Sequence, residues 1–180
     1  KGTISDLSYE AIVSQLHESG VQVWPVVNDF KYDVDIEQLL SSKRLRQRMI
    51  KRLVSDAVDM NYDGINIDFE KITSSSSDDY LQFIRELSLE LRKNDKYLSV
   101  DVYPIEVYNA FYNPEEIANY ADYVIVMNYD EHYSGSEKAG PVSSMGYVER
   151  NLKRLSEYVP SEQIINALPF YTRLWKESNG

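Results

Sequence analysis

Polar and apolar side chains alternate along the segment Gly64–Glu70. Side chains at alternate positions of a β-strand face the same side, so Asn66, Asp68 and Glu70 share one face and the three apolar residues that alternate with them share the other. Each buried charge costs several kcal/mol unless it is paired, so an ordinary buried strand would not carry an amide and two carboxylates on one face. The pattern predicts that this face lines a functional site.

The spacing of Asp68 and Glu70 suits acid–base chemistry. Their Cα atoms lie about 7 Å apart along a strand, and their side chains can meet at the strand end. Two nearby carboxylates push their titrations apart, so that one stays protonated near neutral pH, protonates a leaving group and then removes a proton from water. A structural polar cluster is the alternative, because perturbed carboxylates also occur in structural networks. A metal site formed by Asp63, Asp68 and Glu70 is a more remote alternative, and no metal or other cofactor is expected.

Short β-branched and apolar runs alternate with helical patterns along the chain. The predicted strands are Val21–Val27, Gly64–Phe69, Tyr97–Tyr103, Tyr123–Tyr129 and Gln163–Phe170. The predicted helices lie between Ser8 and Gly20, over Leu45–Ala57, over Leu81–Leu91, from Asn113-Pro114 onward and over Val148–Leu155. This alternation predicts an α/β fold in which helices cover a parallel sheet of about five βα units. A complete eight-unit barrel needs roughly 200 residues or more, so the sheet is either open or a part of a barrel.

The composition is that of one globular domain. The chain has 180 residues, of which 43% are hydrophobic, and its 19 Lys and Arg against 29 Asp and Glu give a formal net charge of −10. The acidic balance argues against nucleic acid as a partner. The sequence has no cysteine, which excludes a disulfide scaffold, a thiolate metal site and a cysteine nucleophile. No apolar run is long enough to span a membrane, and no segment has the pattern of a signal peptide.

The motif around the carboxylate strand resembles that of a known family. Asp63-x-x-Asn66-x-Asp68-x-Glu70 closely resembles the D-x-x-D-x-D-x-E signature of glycoside hydrolase family 18, which includes chitinases, endo-N-acetylglucosaminidases and N-acetylglucosaminidases of bacterial cell walls and spores. Three further segments are similar to motifs of this family, namely Val126–Asp130, Ala139–Val142 and Ala167–Trp175. The resemblance implies a (β/α)8 barrel of the TIM type. By this match residues 1–180 are a central section of the catalytic domain that lacks the first two strands and the last.

The resemblance also implies a mechanism in which the substrate's own N-acetyl carbonyl attacks the anomeric carbon and the configuration is retained. Glu70 matches the general acid/base, and Asp68 matches the residue that orients the acetamido group and stabilises its developing positive charge. Tyr129 matches the phenol that donates a hydrogen bond to the acetamido oxygen. Asp63 and Asn66 match supporting positions.

Further residues are predicted to contact the sugar. The candidate substrate-binding residues are Asp101, Tyr103, Met127, Asp130, Tyr171 and Trp175. Strand parity directs Asp101 and Tyr103 inward, where a polar layer that fills the barrel explains them as well as contact with substrate does. Trp24 and Trp175 are candidate platforms for a sugar ring, although packing in the core is the better explanation for Trp24.

Two positions depart from the family pattern. Asn66 stands where the family has an aspartate that is thought to share a proton with its neighbour in the motif, and Ala167 stands where the cell-wall branch has a glycine. The alanine is a small packing change. The amide of Asn66 can donate a hydrogen bond to Asp68 but cannot exchange a proton with it, so the pH profile is expected to differ from that of typical chitinases.

The expected function is hydrolysis of β-1,4 bonds at N-acetylglucosamine. Gly140-Pro141 and Phe170–Trp175 resemble the cell-wall branch, which favours peptidoglycan over chitin as the polysaccharide partner and a location outside the cell, in the wall or the spore. The rival function is sugar binding without catalysis, as in lectin-like members of the family, but these usually lack the glutamate that Glu70 provides. A partial barrel could also lack the walls that hold a sugar, and its exposed sheet edges would favour self-association.

Two remaining features are predicted to be structural. A basic run of six residues falls mostly opposite an apolar helical stripe and is predicted to be a solvated face, with docking of an anionic wall polymer as the alternative. The run consists of Lys43, Arg44, Arg46, Arg48, Lys51 and Arg52. His17 and His132 have no partners at the spacing of metal ligands, so surface or hydrogen-bonded structural roles are predicted for them.

Overall fold

The computed structural model describes residues 8–30 and 34–176, which form five strands and the helices that connect them. The strands are β1 (Val26–Asn28), β2 (Gly64–Asp68), β3 (Tyr97–Val102), β4 (Tyr123–Met127) and β5 (Ile164–Ala167). The α-helices are α1 (Tyr9–Glu18), α2 (Ile36–Ser41), α3 (Lys43–Asp59), α4 (Ser77–Arg92), α5 (Pro114–Ala118) and α6 (Met145–Leu155), and two 3-10 helices cover Val107–Tyr112 and Ser161–Gln163.

The five strands form one parallel sheet in chain order, from β1 at one edge to β5 at the other. Parallel neighbours require a crossover connection, which the helices between successive strands supply. The predicted α/β fold is therefore confirmed, and the strand order is that of consecutive units of a (β/α)8 barrel. Because every strand runs in the same direction, the carboxyl ends of all five lie at one edge, where the following loops can form a site.

The apolar face of β2 packs against the helices, as the alternation predicts. Ile65 and Ile67 are buried in one cluster with residues of α4, among them Phe83. Phe69, the next residue on this face, stacks on Phe83 with their ring centroids 5.6 Å apart. Each such side chain contributes about 1.5–3 kcal/mol of hydrophobic stabilisation when it is fully buried. This packing fixes which face of the strand is left for Asn66 and its polar neighbours.

Three predicted helix boundaries are confirmed, namely both ends of α1 and the start of α5. The Ser8 side chain accepts a hydrogen bond from the Ala11 N–H at the start of α1, and Gly20 has φ 73° just after that helix. A positive φ of this kind favours glycine, which lacks a Cβ. The Asn113 side chain caps α5 by accepting from the Glu116 N–H. These ends are readable from the sequence because a cap involves only residues three or four positions apart.

The first strand is shorter than predicted. The pattern indicates a strand over Val21–Val27, whereas β1 covers only Val26–Asn28. The Val23 and Pro25 carbonyls still accept hydrogen bonds from the start of β2, at 3.0 Å each. Proline has no N–H to donate, however, so a regular ladder cannot continue through position 25. The regular strand β1 therefore begins after Pro25, at Val26.

Besides the short 3-10 helix over Ser161–Gln163, two helical segments were not predicted from the pattern. Helix α2 precedes α3, and its first turn is capped by the Asp35 side chain, which accepts from the Gln38 N–H at 2.9 Å. The 3-10 helix over Val107–Tyr112 lies between β3 and α5. Both segments are about six residues long and too short to show a clear helical period.

The basic run on α3 is solvated except at one position. Lys43, Arg44, Arg48, Lys51 and Arg52 are exposed, as predicted. Arg46 is buried, with 7% of its surface exposed, so the prediction of a solvated face is wrong for this residue. Its guanidinium donates to both carboxylate oxygens of Glu86 on α4, at 3.2 and 3.0 Å, and to the Leu40 carbonyl of α2. Arg46 therefore joins three helices through charge-assisted hydrogen bonds.

Removal of the Arg46 side chain should destabilise the fold. In Arg46→Ala the Leu40 carbonyl loses the guanidinium donor and the Glu86 carboxylate keeps only the donor from Gln82, so we expect the free energy of unfolding to fall by about 2–4 kcal/mol. Urea unfolding measures this change. Arg48→Ala, at an exposed position of the same helix, is the matched control and should change stability by less than about 0.5 kcal/mol. Equal effects of the two substitutions would show that Arg46 does not join the helices.

The two edge strands present exposed apolar residues. Val26 on β1 is 56% exposed and Ile165 on β5 is 41% exposed. Edge strands with unpaired backbone groups can pair with another chain, so self-association through β1 and β5 stays a prediction. Within residues 8–30 and 34–176, no helix combines the length and the apolar character that a membrane crossing requires.

Candidate active site

Glu70 lies just beyond the carboxyl end of β2, and its side chain is exposed. The phenol of Tyr103, which follows β3, donates a close hydrogen bond to Glu70 Oε2. The strand register explains this contact, because Ile67 pairs with Val100 and the third residue after each is Glu70 and Tyr103. A carboxyl group that is open to solvent and held by a phenol can donate a proton to a bound group or accept one from it.

The backbone at Glu70 is held by Asp29, a residue that the sequence analysis did not select. Asp29 follows β1 directly and is buried, with 4% of its surface exposed. Its Oδ1 accepts from the Glu70 N–H at 3.0 Å and its Oδ2 accepts from the Lys71 N–H at 2.8 Å. A carboxylate directly after an apolar strand was the available signal, since the carboxyl ends of β1 and β2 lie side by side. Asp29 therefore positions Glu70 through the main chain.

A second unpredicted contact comes from the 3-10 helix. The Tyr112 phenol donates to the Phe69 carbonyl at 3.0 Å, and its ring packs edge-on against Tyr103 with centroids 5.7 Å apart. Tyr112 thus supports both the strand end that carries Glu70 and the phenol that holds Glu70. No local feature of the sequence indicates this role, because it depends on how the Val107–Tyr112 helix lies on the sheet.

The side chain of Asn66 connects β2 to β3. Its Nδ2 donates to Asp101 Oδ2 at 3.0 Å, and its Oδ1 accepts from Ser99 Oγ at 2.7 Å. Asp101 therefore points to the same side of the sheet as Asn66, as strand parity predicts. The amide donates to Asp101 and not to Asp68, its neighbour in the motif. Asn66 pairs with Ser99 in the ladder, and Asp101 is the next residue of β3 on the same face.

The carboxyl groups of Asp68 and Asp101, which lie on the same face of the sheet as Asn66, resist ionisation. Burial, followed by the negative charges of Asp101, Glu70 and Asp29, raises the pKa of Asp68 to about 6. Burial also raises the pKa of Asp101 to about 6, with a further increase from Glu70 and an opposing hydrogen bond from Asn66. The aspartates are therefore poised to titrate near neutral pH, whereas the pair of carboxylates from which the sequence analysis argued was Asp68 and Glu70.

Tyr129 follows β4 on the same side of the sheet as these carboxylates. Burial and the negative charges of Asp101, Asp68 and Glu70 raise the pKa of Tyr129 to about 12. Its ring meets the ring of Tyr171 edge-on, with centroids 6.4 Å apart. A phenol with so high a pKa stays protonated at neutral pH, so Tyr129 can donate a hydrogen bond to a carbonyl oxygen.

The predicted binding residues Asp130 and Tyr171 form a cluster with Arg173. Asp130 Oδ1 accepts from the Tyr171 phenol at 2.7 Å and from the Arg173 guanidinium at 2.6 Å. Burial opposes the ionisation of Asp130, but the hydrogen bonds from Arg173 and Tyr171 outweigh it and lower the pKa of this carboxyl. Arg173 was quoted in the motif but not selected as a site residue. Its charge keeps Asp130 ionised beside Tyr129.

Met127 and Trp175 border this cluster. Met127 is buried at the end of β4, where it pairs with Ala167 of β5. The Trp175 indole donates to the Gly140 carbonyl at 3.0 Å. The indole thereby ties the segment after β5 to the loop between β4 and α6. Contact of either side chain with a sugar stays a prediction.

Asp63 and Trp24 lie at the opposite end of the sheet. Asp63 precedes β2, about 16 Å along the strand from Asp68. Its Oδ2 accepts from the Val23 N–H at 2.7 Å and lies 2.9 Å from His17 Nε2. Trp24 stacks on Tyr97, the first residue of β3, with ring centroids 5.3 Å apart. The structure therefore does not bring Asp63 to the other motif residues, and Trp24 packs at the amino end of the strands.

Both histidines make hydrogen bonds of the structural kind predicted for them. His17 contacts Asp63, as above, and His132 Nδ1 lies 3.0 Å from the Pro141 carbonyl. In the part of the chain that the structure describes, no group of three or more His, Cys, Asp and Glu residues is arranged to hold a metal ion.

The stability of the chain should depend on the ionisation of Asp68 and Asp101. A carboxyl with a pKa raised to about 6 binds more protons when folded than when unfolded, so the free energy of unfolding falls as the pH rises through that value. We expect a decrease of about 1–3 kcal/mol between about pH 4.5 and about pH 7.5, after discounting for the partial exposure of both side chains.

Urea unfolding at the two pH values measures this dependence, with Asp101→Asn as the comparison. The variant should be more stable than the original chain at the higher pH and equal to it at the lower pH, because it lacks the buried charge. An equal difference at both pH values would contradict the assignment.

Comparison with known proteins agrees with the family resemblance. The model of the glycosyl hydrolases family 18 matches residues 6–180. The uncharacterized glycosylase YvbX of Bacillus subtilis is 29% identical over 172 residues, which cover 89% of this chain and 50% of that protein. The chain thus spans about half the length of this curated relative.

Solved structures share the fold. The crystal structure of the putative sporulation-specific glycosylase ydhD of Bacillus subtilis superposes with a TM-score of 0.85 at 22% identity, covering 92% of this chain and 57% of that one. A chitinase from Chromobacterium violaceum gives a TM-score of 0.81 at 25% identity, covering 93% and 56%. The five parallel strands are therefore part of a TIM-type barrel. The chain belongs to the glycosyl hydrolases family 18.

Proposed function

We propose that this chain carries the catalytic residues of a retaining glycosidase that cleaves β-1,4 bonds at N-acetylglucosamine. The observation that supports the proposal best is the position of Glu70, which is exposed beyond β2, held by the Tyr103 phenol and adjacent to the carboxyl layer of Asp68 and Asp101. In a (β/α)8 barrel this edge of the sheet is where active sites lie.

Glu70 acts as the general acid and then as the general base. It protonates the oxygen of the leaving sugar and later removes a proton from the water that attacks the anomeric carbon. The Tyr103 phenol, whose pKa is raised far above its usual value by burial and by Glu70, remains a donor and holds the carboxyl in place. Asp29 fixes the same residue through its backbone N–H.

The N-acetyl group of the substrate supplies the nucleophile in this proposal. Its carbonyl oxygen attacks the anomeric carbon as the bond to the leaving sugar breaks, and water later opens the resulting ring with net retention. The protonated phenol of Tyr129 donates to the acetamido oxygen and holds it for attack. Asp68 accepts a hydrogen bond from the acetamido N–H and stabilises the positive charge that develops on the acetamido group.

Peptidoglycan is the substrate that we favour, and chitin is the alternative. The relatives include a putative glycosylase described as sporulation-specific and a chitinase. The segments Gly140-Pro141 and Phe170–Trp175 favour the wall polymer. They lie together in the structure, because the Trp175 indole donates to the Gly140 carbonyl. Action on this polymer would place the protein outside the cell, in the wall or the spore.

Mass spectrometry of reaction products tests the proposal. The chain is incubated with purified peptidoglycan and, separately, with chitin oligomers, and Glu70→Gln is run in parallel. New products that end in reducing N-acetylglucosamine, and that are absent with the variant, are the expected result. The polymer that is cleaved faster identifies the substrate class.

The assay is then repeated on a longer chain that includes the strands flanking this section in its relatives. This repeat tests whether further strands are needed to complete the site. Products from the extended chain alone would show that the missing walls are needed to hold the sugar. Binding of oligomers without any product from either chain would contradict the proposal and favour a sugar-binding function.

A further inference from the structure

Asp68 and Asp101 occupy neighbouring positions on one face of the sheet. Ile67 pairs with Val100 in the parallel ladder, so the next residue on each strand places Asp68 beside Asp101, about 5 Å apart at the level of the backbone. Asn66 and Ser99 lie one step earlier on this face and are joined by a hydrogen bond of 2.7 Å. The two aspartates are therefore the next cross-strand pair of the same layer.

The hydrogen bonds determine which oxygen of Asp101 can carry a proton. The Ser99 hydroxyl donates to Asn66 Oδ1, which directs the Asn66 NH2 group toward Asp101. Asp101 Oδ2 accepts from that NH2 group at 3.0 Å and must be unprotonated there. A proton on Asp101 therefore belongs on Oδ1.

The remaining oxygens of the pair need a donor. Asp101 Oδ1 and Asp68 Oδ1 are both buried, and neither has a hydrogen-bond partner among the residues that the structure describes. A buried carboxylate oxygen without a donor is costly, and two ionised carboxylates side by side are more so. One proton held between the two Oδ1 atoms would satisfy both oxygens and remove one of the two charges.

We propose that Asp101 is a positioning residue that shares a single proton with Asp68, an inference that rests on the proposed function for its catalytic meaning. When the acetamido N–H of the substrate meets Asp68, the proton moves from Asp68 Oδ1 to Asp101 Oδ1, and Asp68 becomes the carboxylate that faces the developing positive charge. No bond of the substrate is made or broken by this transfer. The proton returns to Asp68 when the intermediate is hydrolysed.

The groups around the pair favour one retained proton. Asp29 after β1 and Glu70 after β2 add negative charge, and burial raises the pKa values of both aspartates. Burial, and in smaller part the negative charge of Asp68, also raises the pKa of four tyrosines, namely Tyr103 after β3, Tyr129 after β4, Tyr80 of α4 and Tyr112 of the 3-10 helix. These phenols remain neutral at physiological pH and do not add charge.

Carboxyl carbon chemical shifts, measured by NMR as a function of pH on the 180-residue chain, test the shared proton without requiring activity. Asp68 and Asp101 are expected to titrate together in two steps, with the second near pH 6 or above. In Asp101→Asn the second step should disappear and Asp68 should titrate at least about one pH unit lower. The asparagine oxygen can still accept from Asn66, so a merely structural role of Asp101 would leave the titration of Asp68 unchanged.

The exchange variant Asn66→Asp/Asp101→Asn moves the carboxyl group to the neighbouring strand and should restore the two-step titration. Independent one-step titrations of Asp68 and Asp101 in the original chain would overturn the inference, as would a titration of Asp68 that Asp101→Asn does not change. On the same samples, kcat should fall at least about tenfold in Asp101→Asn and recover in the exchange variant. A two-step titration without hydrolysis of either polymer would refute the proposed function and leave the shared proton intact.

Discussion

Glu70→Gln should abolish turnover while it leaves the fold unchanged. The glutamine amide can neither protonate the oxygen of the leaving sugar nor remove a proton from the attacking water. Loss of a general acid/base group lowers kcat by at least about 100-fold. The fold should tolerate the change because Glu70 is exposed, and its side-chain contact with the Tyr103 phenol can be kept by the amide oxygen. Initial rates on the preferred polymer and the midpoint of thermal unfolding measure the two effects separately.

Glu149→Gln is the matched control, because Glu149 is exposed on α6, outside the site. It should keep both the rate and the melting temperature. Near-full activity of Glu70→Gln would remove Glu70 from its assigned role. A loss of activity together with a large fall in melting temperature would show that the residue is structural.

Asp68→Asn is expected to have the second largest effect. The neutral amide cannot stabilise the positive charge on the acetamido group, nor can it exchange a proton with Asp101. We expect kcat to fall by about 100-fold, with a smaller change in KM, because the lost interaction is made mainly in the transition state. The stability should rise at neutral pH, since burial and three neighbouring carboxylates disfavour the charge that the substitution removes.

Steady-state kinetics over a range of pH, with unfolding measured in the same buffers, checks this prediction. Asp78→Asn is the matched control, because Asp78 is exposed in the first turn of α4. A fall in kcat/KM that came entirely from KM would contradict the assignment, since it would indicate loss of ordinary substrate binding. Opposite changes in activity and stability are the result that distinguishes a functional carboxylate from a structural one.

Much of the fold was predictable because its signals are local. The alternation in Gly64–Glu70 gave the faces of β2 correctly, and the caps at Ser8 and Asn113 gave two helix starts. The length of β1 was predicted wrongly, because an apolar pattern continues through Pro25 where a regular hydrogen-bonded ladder cannot. Arg46 was also assigned wrongly, since a helical wheel cannot show that α2 and α4 cover that side of α3.

The sequence by itself determined the family, the parallel α/β architecture and the placement of Asp68 and Glu70 at a strand end. The family follows from the resemblance of the Asp63–Glu70 motif, and the other two properties follow from the period of the strand and from residues adjacent in the chain, so no long-range contact is needed to infer them.

Only the tertiary structure decided how those carboxylates are held. Asp29 binds the backbone of Glu70 across 41 residues, and Asn66 binds Asp101 across 35. Both contacts depend on which strands are neighbours and on their register, which the local pattern of either strand does not contain. The same register places Asp101 beside Asp68, because the pairing of strands determines which side chains can meet.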